Sequence, residues 1–481
     1  MKAHIKNLFL LPALIVGLGP LLPGWVTAQT FTVLHSFTAT PSPAYTNSDG
    51  AIPQAGLVLS FSGKTLYGTA RYGGSSARGT VFALNTDGTG FTNLHSFTGG
   101  SDGVGPSGSL IFAGKTLYGT AQAGGSSGRG TVFALNTDGT GFTNLHSFTG
   151  ASDGIGPSGG LTLAGNTLYG TAQGGGSSGA GTVFALNTNG AGFTTLYSFT
   201  GGSDGRTPFS GLILSNNTLF GTAYYGGSSG NGTVFALSTD GTWFTNLHSF
   251  TATSGYPYYT NSDGANPFAG LILSGDTLYG TASAGGSSGN GTVFALNTNG
   301  TGFTALYSFT ALAGSPSMNS DGAGPSAGLV LSGNTVYGTA QAGGSLGGGT
   351  VFEVNGNGTG FRTLHSFTAL NNGTNSDGVN PSAGLMLSGN NVYGTAYGGG
   401  SAGNGTVFSL FIPPQLTIIP SRANVVLTWP TNATGFTLQS TSNLVSPVFW
   451  TNVSPGPVVV DRQNAVTNHI LGAQHFYRLS Q

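Results

Sequence analysis

Residues 107–148 read SGSLIFAGKTLYGTAQAGGSSGRGTVFALNTDGTGFTNLHSF, and this stretch decides the fold because it recurs along the chain. The string LYGTA, or a close variant, begins at Leu66, Leu117, Leu168, Leu219, Leu278, Val336 and Val392. The string GTVF follows each time, at Gly79, Gly130, Gly181, Gly232, Gly291, Gly349 and Gly405. Self-similarity of this kind indicates a repeat protein. The seven copies are numbered here as units 1 to 7.

Each unit holds four strand-like runs, which in unit 2 are SGSLIFA, TLYGTA, GTVFALN and FTNLHSF. The turn segments between them include TDGTG, whose Asp-Gly pair tolerates the positive φ angles that a hairpin requires. Four strands per repeat predict the blade of an all-β propeller. The apolar third run, VFAL, predicts a strand that neighbouring blades cover on both faces. A β-helix is the competing architecture, although its coils are usually shorter and its ends need polar caps.

The two ends of the array carry complementary pieces of one unit. The segment Phe31 to Phe37 (FTVLHSF) matches the fourth run alone, whereas unit 7 supplies AGLMLS, NVYGTA and GTVFSLF without a fourth run. We therefore predict that Phe31–Phe37 pairs antiparallel with Gly405–Phe411. This pairing would close a seven-bladed β-propeller over residues 29–411 and remove its exposed strand edges.

Composition excludes several classes of function. The chain has 481 residues, of which 87 are Gly and only 5% are charged, and its formal net charge is -1. Such a charge balance leaves no electrostatic footprint for nucleic acid. The chain contains no Cys, so disulfides, thiolate metal sites and thiol catalysis are excluded.

The N-terminal segment has the pattern of a secretory signal. Lys2 and Lys6 precede an apolar stretch, and Val26-Thr27-Ala28 forms a small-residue cleavage site. We predict a signal peptide over residues 1–28, a mature chain that begins at Gln29, and export to the extracellular space or cell surface. An uncleaved membrane anchor is the alternative, but Pro and Gly residues interrupt the apolar run.

The repeated block LYGTA…GGSSG.GTVFALNTDGTGFT.LHSF, from Phe31 to about Phe411, resembles the Gloeo/Verruco (GloVer) tandem repeat of exported bacterial proteins. The resemblance implies a surface or extracellular protein, and no activity comes with it. The chain ends in HFYRLSQ without an apolar helix and basic tail. We therefore expect no transmembrane anchor in the mature chain.

The repeat stops after Ile412-Pro413-Pro414, which indicates a domain boundary and a separate domain over residues 412–481. Its short alternating runs, LTIIP, NVVLTWP, GFTLQST, FWTNVS, PVVVD and HFYRLS, predict a small β-sandwich of about six strands. The segment VVLTWPTNATGFTLQSTSNL resembles a fibronectin type III-like strand pair with Trp429 as its core aromatic residue. Such a small domain without disulfides is marginal alone, so we expect it to dock on the propeller or on a partner.

One Asp recurs in the S-D-G-x-x-P segment of every unit. A ring of seven carboxylates on one face could bind a cation or a polar ligand, whereas an Asp in every unit is typical of a turn that accepts hydrogen bonds from backbone amides. The repetition favours the turn, and no unit clusters enough carboxylates for a calcium site. We therefore assign structural turn roles to Asp49, Asp102, Asp153, Asp204 and Asp377, and we expect no metal site.

Five His residues precede the Ser-Phe pair of the fourth run, and Tyr197 and Tyr307 replace His in the same place. A catalytic or metal-binding imidazole would not tolerate exchange for phenol. We predict that these residues pack on the fourth strand with a polar tip. The set comprises His35, His95, His146, His248 and His365.

The loop that joins one unit to the next differs in length. The Phe of HSF and the Pro of SDGxxP are nine positions apart in three loops. They are 14 to 17 positions apart in the other four, Phe37–Pro53, Phe250–Pro267, Phe309–Pro325 and Phe367–Pro381. In a closed ring these four long loops would be neighbours and would raise one half of a face. The candidate ligand contacts in this raised half are Tyr45, Tyr256, Tyr258, Tyr259, Asp263 and Asp321.

These observations favour a secreted or cell-surface binding or scaffold module whose ligand is a polysaccharide or a protein. The alternative is an extracellular enzyme, either a glycan-active hydrolase or lyase or a quinoprotein-like oxidoreductase, with its site on the long-loop face. A glycosidase needs two carboxylates that face each other. A quinone cofactor needs stacking aromatics and fixed charges, for which the repeats offer Trp243 and few Lys or Arg. No cofactor is therefore expected.

Overall fold

The computed structural model describes residues 29–314, 317–421, 424–430, 435–445, 448–460, 463–469 and 475–480. The regular structure of these residues is β-strand throughout, as the sequence predicts. Within the same ranges there is no helix of the length and apolarity needed to cross a membrane. The predicted signal segment, residues 1–28, lies outside the described residues.

Each unit forms one antiparallel sheet, and the sheets carry the numbers of their units. Sheet 1 comprises Val58–Leu59, Thr65–Ala70, Thr80–Asn85 and Thr92–Ser96. Sheet 2 comprises Val104–Pro106, Ile111–Ala113, Thr116–Ala123, Thr131–Asn136 and Thr143–Ser147. Sheet 3 comprises Thr162–Ala164, Thr167–Ala172, Thr182–Asn187 and Thr194–Ser198. Sheets 4 and 5 comprise Ile213–Ser215, Thr218–Ala223, Thr233–Ser238 and Phe244–Ser249; and Ile272–Ser274, Thr277–Ala282, Thr292–Asn297 and Thr304–Ser308. Sheets 6 and 7 comprise Val330–Ser332, Thr335–Ala340, Gly347–Asn355 and Arg362–Thr368; and Met386–Ser388, Asn391–Ala396, Thr406–Phe411 and Thr30–Ser36.

Sheet 7 combines the two ends of the repeat array. The N-terminal strand Thr30–Ser36 pairs antiparallel with Thr406–Phe411, and Thr32 lies opposite Ser409. The strand therefore takes the place that the fourth strand holds in the other six sheets, in agreement with the pairing expected from the complementary half-units.

A bulge recurs in the fourth strand of every unit, immediately before the His or Tyr position. In unit 2 Asn144 pairs with Phe133 and His146 with Val132, so Leu145 has no partner in the ladder. The same shift occurs in the other six units. Because a bulge re-aims the side chains that follow it, this feature sets the direction of the His or Tyr ring.

Apolar clusters lie between consecutive sheets. Six clusters join sheets 1 to 7 in order, and a seventh joins Tyr393 and Val407 of sheet 7 to Leu66 and Phe82 of sheet 1. The second and third strands are buried almost completely, as expected for VFAL. The Gly of LYGTA is required by this packing, because a Cβ atom at Gly119 would lie 2.6 Å from Cζ of Phe133.

The start of each unit differs from the sequence prediction. The first strand of each unit is short, and in unit 2 Ile111–Ala113 replaces the predicted run from Ser107. Unit 2 has an additional strand, Val104–Pro106, which pairs with the end of the long second strand. Pro106 and the Gly-rich residues after it leave the first strand only three residues in which to pair.

The residues after Pro414 form two further antiparallel sheets. One consists of Thr417–Ser421, Asn424–Pro430, Gln463–His469 and Val458–Val460, and the other of Thr451–Asn452, Thr437–Thr441 and Phe476–Ser480. Trp429 is buried with Leu427, Leu438 and Val466. The strand Gln463–His469 was not predicted, because QNAVTNH lacks an apolar run, yet it pairs along its whole length with Asn424–Pro430.

Candidate functional site

The seven Asp residues of the S-D-G-x-x-P segments occupy the same buried environment. In unit 3 the Asp153 carboxylate accepts hydrogen bonds from the Thr149 backbone N–H at 2.8 Å, from Thr149 Oγ1 at 2.7 Å and from His146 Nε2 at 3.2 Å. The Gly after each Asp has a left-handed φ between 99° and 114°. All seven Asp accept the same three kinds of hydrogen bond.

The candidate ligand contacts Asp263 and Asp321 belong to this set. Asp263 is 5% exposed and bonds to His248 and Thr251, and Asp321 is 2% exposed and bonds to Tyr307 and Thr310. A ligand could reach either carboxylate only by displacing these partners. The structure therefore gives both residues the surroundings of the five turn aspartates.

The exchange of His for Tyr has a geometric reason. The Tyr197 hydroxyl donates to Asp204 at 3.1 Å, in the place where His146 Nε2 donates to Asp153 at 3.2 Å. Each His or Tyr ring also stacks on a Phe of the following sheet, with centroids 3.6–4.1 Å apart. The two residue types therefore supply the same donor and the same flat surface.

The pKa shifts agree with this structural role. Burial raises the pKa of Asp153, but hydrogen bonds from Thr149 and His146 outweigh burial and hold the pKa below its usual value. Burial lowers the pKa of His146 more than the Asp153 carboxylate raises it. The His146 imidazole is therefore neutral at pH 7 and donates through Nε2. Burial and the neighbouring Asp204 raise the pKa of Tyr197 to about 12.

The four candidate Tyr residues lie on two long loops. Tyr45 is 58% exposed on the loop before unit 1, and Tyr256, Tyr258 and Tyr259 are 54–86% exposed on the loop before unit 5. The Tyr256 and Tyr259 rings meet edge to face at 5.9 Å. Among the described residues no ring contact joins Tyr45 to this group. The described ring contacts thus join two of the four candidates, Tyr256 and Tyr259, on one loop.

A cavity of about 680 Å³ receives residues from all seven units. Its volume lies in the range of small-molecule sites. Two positions per unit provide most of the lining: the residue after the Pro of SDGxxP and the residue after the GTA of LYGTA. We call it the shared cavity. The cavity opens on the face that carries the unit-joining loops. On that face the segment with the first position pairs with the segment with the second, as in the β-bridge between Ala51 and Tyr72.

The residues of this lining vary between units that are otherwise nearly identical. The first position holds Gln54, Ser107, Ser158, Phe209, Phe268, Ser326 and Ser382, and the second holds Arg71, Gln122, Tyr224, Ser283, Gln341 and Tyr397. In unit 3 the second position is Gln173, which does not belong to the lining. Neighbouring positions such as the Gly, Thr and Ala of LYGTA are constant in all seven units. The variable positions therefore include those that a ligand in the cavity would contact.

One side of the shared cavity is aromatic and is built by units 4 and 5. Phe209 meets Tyr224 at 5.5 Å and Phe268 at 4.9 Å between ring centroids. Tyr225 packs edge to face on Tyr224 at 4.4 Å and carries the Arg206 guanidinium over its own ring at 5.1 Å. These rings form a continuous apolar surface with a cation beside it.

Another side is polar and is built by units 1 and 2. Arg71 donates from Nη1 to Gln54 Oε1 at 3.0 Å and from Nη2 to Gln122 Oε1 at 2.7 Å. The Ser107 hydroxyl, which also belongs to the lining, is buried and has no hydrogen-bond partner among the described residues. Arg71 is the one charged residue among the described residues that line the cavity, and it has no acidic partner there.

Backbone strain lies beside the same cavity. The residue before the Pro of SDGxxP has a left-handed φ of 54–65° in every unit, and three units carry Gly there. Units 1 and 4 carry the β-branched residues Ile52 and Thr207, for which this conformation is unfavourable. Hydrogen bonds hold it, as from Ile52 N–H to the Asn404 carbonyl at 2.8 Å. Strain of this kind concentrates at functional sites.

Sequence reasoning missed the shared cavity although its signal is present in the sequence. Aligning the seven units shows that the two lining positions change, together with the residue after each of them, whereas the Gly, Thr and Ala of LYGTA do not. The motifs that recur drew attention to Asp and His instead. Recurrence marks the framework of a repeat protein, whereas a ligand site at its centre requires chemically different residues from otherwise equal units.

Comparisons with known proteins give a family and a set of distant structures. The family model described as the Gloeobacter/Verrucomicrobia repeat matches residues 25–217, 115–262 and 202–320. No curated protein matches the chain. An oligogalacturonate lyase in complex with manganese is 10% identical, with a TM-score of 0.48 over 80% of this chain and 96% of that chain.

Two further solved structures have similar values. TolB from Acinetobacter baumannii is 13% identical, with a TM-score of 0.36 over 60% of both chains. A gluconolactonase from Xanthomonas campestris is 14% identical, with a TM-score of 0.38 over 80% of this chain and 90% of that chain. At these identities and scores the likenesses carry no conclusion about ligand or activity.

Proposed function

We propose, from the premise that this chain belongs to the Gloeobacter/Verrucomicrobia repeat family, that it is an exported, non-catalytic binding module whose ligand occupies the shared cavity. The observation that carries this proposal is that the seven units place chemically different side chains, charged, polar and aromatic, on the lining of one cavity. Constant residues maintain the framework, and variable residues give one place a distinct chemistry. Recognition needs such a concave and chemically distinct place.

The proposal includes a closed seven-bladed β-propeller over residues 29–411. Contacts between units 7 and 1 support it, since Thr395 Oγ1 donates to the Ala55 carbonyl at 3.3 Å. The corresponding Thr donates to the next unit in units 2 to 6, as Thr120 does to Gly159 at 3.0 Å. The junction of unit 7 with unit 1 thus uses the same hydrogen bond as the junctions inside the array.

A disulfide would test the closing strand. The chain has no Cys, so the double variant Thr32→Cys/Ser409→Cys can form one crosslink. Paired strands place Cα atoms about 4.5–5.5 Å apart, within disulfide range. We expect the oxidised protein to lose two hydrogens in its intact mass. Thr32→Cys/Ser215→Cys, with the second Cys in unit 4, is the control. Equal crosslinking of both variants, or of neither, would argue against the ring.

Export and the domain division complete the proposal. Cleavage before Gln29 would release a mature chain with the propeller at residues 29–411 and a fibronectin type III-like sandwich at 412–481. The two sheets after Pro414 and the buried Trp429 support the sandwich. Intact mass of secreted protein tests the cleavage site, because retention of residues 1–28 would contradict it.

A binding role is preferred to catalysis because of the positions of the carboxylates. Hydrolysis of a glycoside needs two carboxyl groups about 5–9.5 Å apart across the substrate. The seven Asp of the loop face are buried in turns, and the described lining of the shared cavity contains no Asp, Glu or His. Its Arg, Gln, Ser and aromatic side chains are suited to holding a ligand.

The experiment is a screen of the mature protein on an array of polysaccharides and proteins, followed by variants. Phe209→Ser/Phe268→Ser introduces the residue that four other units carry at this position, so the fold is expected to persist. We expect this variant to lose binding. The control Trp243→Gly changes an exposed aromatic on the opposite face to the Gly of five other units and should bind normally.

The Tyr cluster of the long loops is tested in parallel. Replacement of Tyr45, Tyr256, Tyr258 and Tyr259 by Ala measures the contribution of the raised half of the face. If that variant loses binding while Phe209→Ser/Phe268→Ser keeps it, the site lies on the long loops. Retention of binding by both variants would contradict a site on this face.

A further inference from the structure

We infer that the ligand of the shared cavity is an acidic sugar residue whose carboxylate binds Arg71 and whose ring lies on the aromatic side formed by Phe209, Phe268 and Tyr224. This inference rests on the proposed function and specifies its ligand class. Three features of the cavity carry it: an unpaired cation, a flat apolar surface on another side, and neutral hydrogen-bonding groups between them.

The first feature is the unpaired guanidinium of Arg71. Gln54 and Gln122 accept two of its N–H groups and fix the side chain, but they are neutral and leave its charge uncompensated. A guanidinium has five N–H donors, so three remain for a ligand. Arg binds carboxylates through paired, charge-assisted hydrogen bonds. The arrangement therefore favours an anion with two oxygen atoms.

Two buried hydroxyl groups at the junction of units 1 and 2 also lack hydrogen-bond partners among the described residues. Thr69 Oγ1 is buried and has no partner among the described residues, although the equivalent Thr in the other six units donates to a carbonyl of the following unit. The Ser107 hydroxyl of unit 2 is likewise buried without a partner in the described part of the chain. Buried polar atoms without partners are costly, and here they accompany Arg71 at one junction.

The second feature is the aromatic side of units 4 and 5. In a ring of seven consecutive units, unit 1 lies three units away from unit 4 and three from unit 5. The rings of Phe209, Phe268 and Tyr224 would therefore lie across the cavity from Arg71. Aromatic rings offer broad contact area at low entropic cost, and a pyranose ring presents C–H groups on its faces.

The third feature distinguishes a sugar from an aromatic acid. Between the two sides the lining consists of amides and hydroxyls, including Gln341, Asn380 and Ser382. Such groups match the several hydroxyls of a sugar, whereas an aromatic acid would leave them without partners. Polar groups that a ligand cannot satisfy reduce affinity. The lining thus favours a carboxylated sugar.

The test compares an acidic sugar with its uncharged counterpart and with an aromatic acid. Calorimetric titration of the full mature protein would use uronic acid oligosaccharides, the same oligosaccharides with carboxylates reduced to alcohols, and benzoate. We expect the acidic oligosaccharide to bind at least about tenfold more tightly than the reduced one, the discrimination typical of a charge-assisted hydrogen bond. Benzoate should bind more weakly than the acidic sugar.

Arg71→Gln introduces the residue that three other units hold at this position, so the fold should persist and circular dichroism can verify it. We expect Arg71→Gln to abolish the preference for the acidic sugar while binding of the reduced sugar stays unchanged. Lys64→Asn/Lys115→Asn removes cationic charge from the opposite face, with Asn as in units 3, 4, 6 and 7, and serves as the charge control.

The outcomes distinguish an incorrect ligand class from the absence of a binding site. Equal affinity of wild-type protein for acidic and reduced sugars would overturn the acidic-sugar inference and leave the binding site standing. Tighter binding of benzoate than of the acidic sugar would assign the site to aromatic acids instead. Failure of every sugar and of every array ligand to bind would overturn the proposed function itself.

Discussion

Two sets of polar residues share one face of this molecule and differ in every physical respect. The turn set, represented by Asp153, Thr149 and His146, recurs in all units with Tyr in place of His in two, and its carboxylate is buried and hydrogen-bonded by both partners. The cavity set, represented by Arg71 and Gln122, changes from unit to unit and retains unused donors. Constancy in a repeat thus marks the framework, whereas the cavity set gives one place on this face a chemistry that the repeat does not impose.

The largest difference between the two sets should appear in stability. Asp153→Ala leaves the Thr149 N–H and the His146 imidazole without their buried acceptor, and we expect a loss of about 1–3 kcal/mol. Gln341→Ser, which gives a lining position of unit 6 the residue of Ser283 in unit 5, should leave the unfolding midpoint nearly unchanged. Urea denaturation of both variants measures this. Equal destabilisation by the two substitutions would break the distinction between framework and lining.

A second prediction concerns the strained residue before the Pro of each S-D-G-x-x-P segment. Asn380 has a left-handed φ of 54°, which costs Asn less than it costs a β-branched residue such as Ile52, its equivalent in unit 1. We expect Asn380→Ile to cost about 1–2 kcal/mol, and Thr207→Asn to stabilise the protein by a smaller amount. Val379→Ile, one residue earlier, is the control. Thermal melting in which Asn380→Ile matches Val379→Ile would contradict the strain.

The smallest expected effect is a change in pH dependence. The folded pKa values of His95 and His146 lie below the usual value of 6.5 because burial outweighs the attraction of their Asp partners. The unfolded chain then binds more protons as the pH falls below about 6.5, so stability decreases in that direction. Asp153, whose folded pKa lies below 3.8, adds a further loss only as the pH falls below that value.

The double variant His95→Tyr/His146→Tyr isolates the imidazole contribution. Tyr occupies this place in units 3 and 5, and the Tyr197 pKa of about 12 keeps the phenol neutral throughout the range. We expect the slope of melting temperature against pH between 5 and 7 to flatten while stability at pH 7.5 persists. An unchanged slope would show that these imidazoles do not control acid sensitivity.

The repeat made much of the framework predictable. The strings LYGTA and GTVF located the two buried strands of each unit, and the solitary FTVLHSF segment indicated the partner of Thr406–Phe411. The turn role assigned to Asp agrees with the hydrogen bonds of all seven. These features follow from local patterns, because turn chemistry and apolar runs act over a few residues.

The site was less predictable, because it is assembled from positions about 50 residues apart. Nothing in the local sequence around Phe209 distinguishes a cavity residue from a turn residue. The ring contact between Tyr256 and Tyr259 likewise could not be predicted from loop length. The strand Gln463–His469 was missed for a related reason, since its pairing with Asn424–Pro430 is non-local.

The most direct test of the central claim is to remove the charged and aromatic differences between the seven units at the two lining positions. The variant Arg71→Gln/Phe209→Ser/Tyr224→Gln/Phe268→Ser/Tyr397→Gln gives each altered position a residue that other units already carry. Its melting temperature and its binding to the ligand found by the screen are measured together. We predict an almost unchanged melting temperature and a complete loss of binding. Binding that survives in the folded variant would contradict the claim that the variable positions form the site.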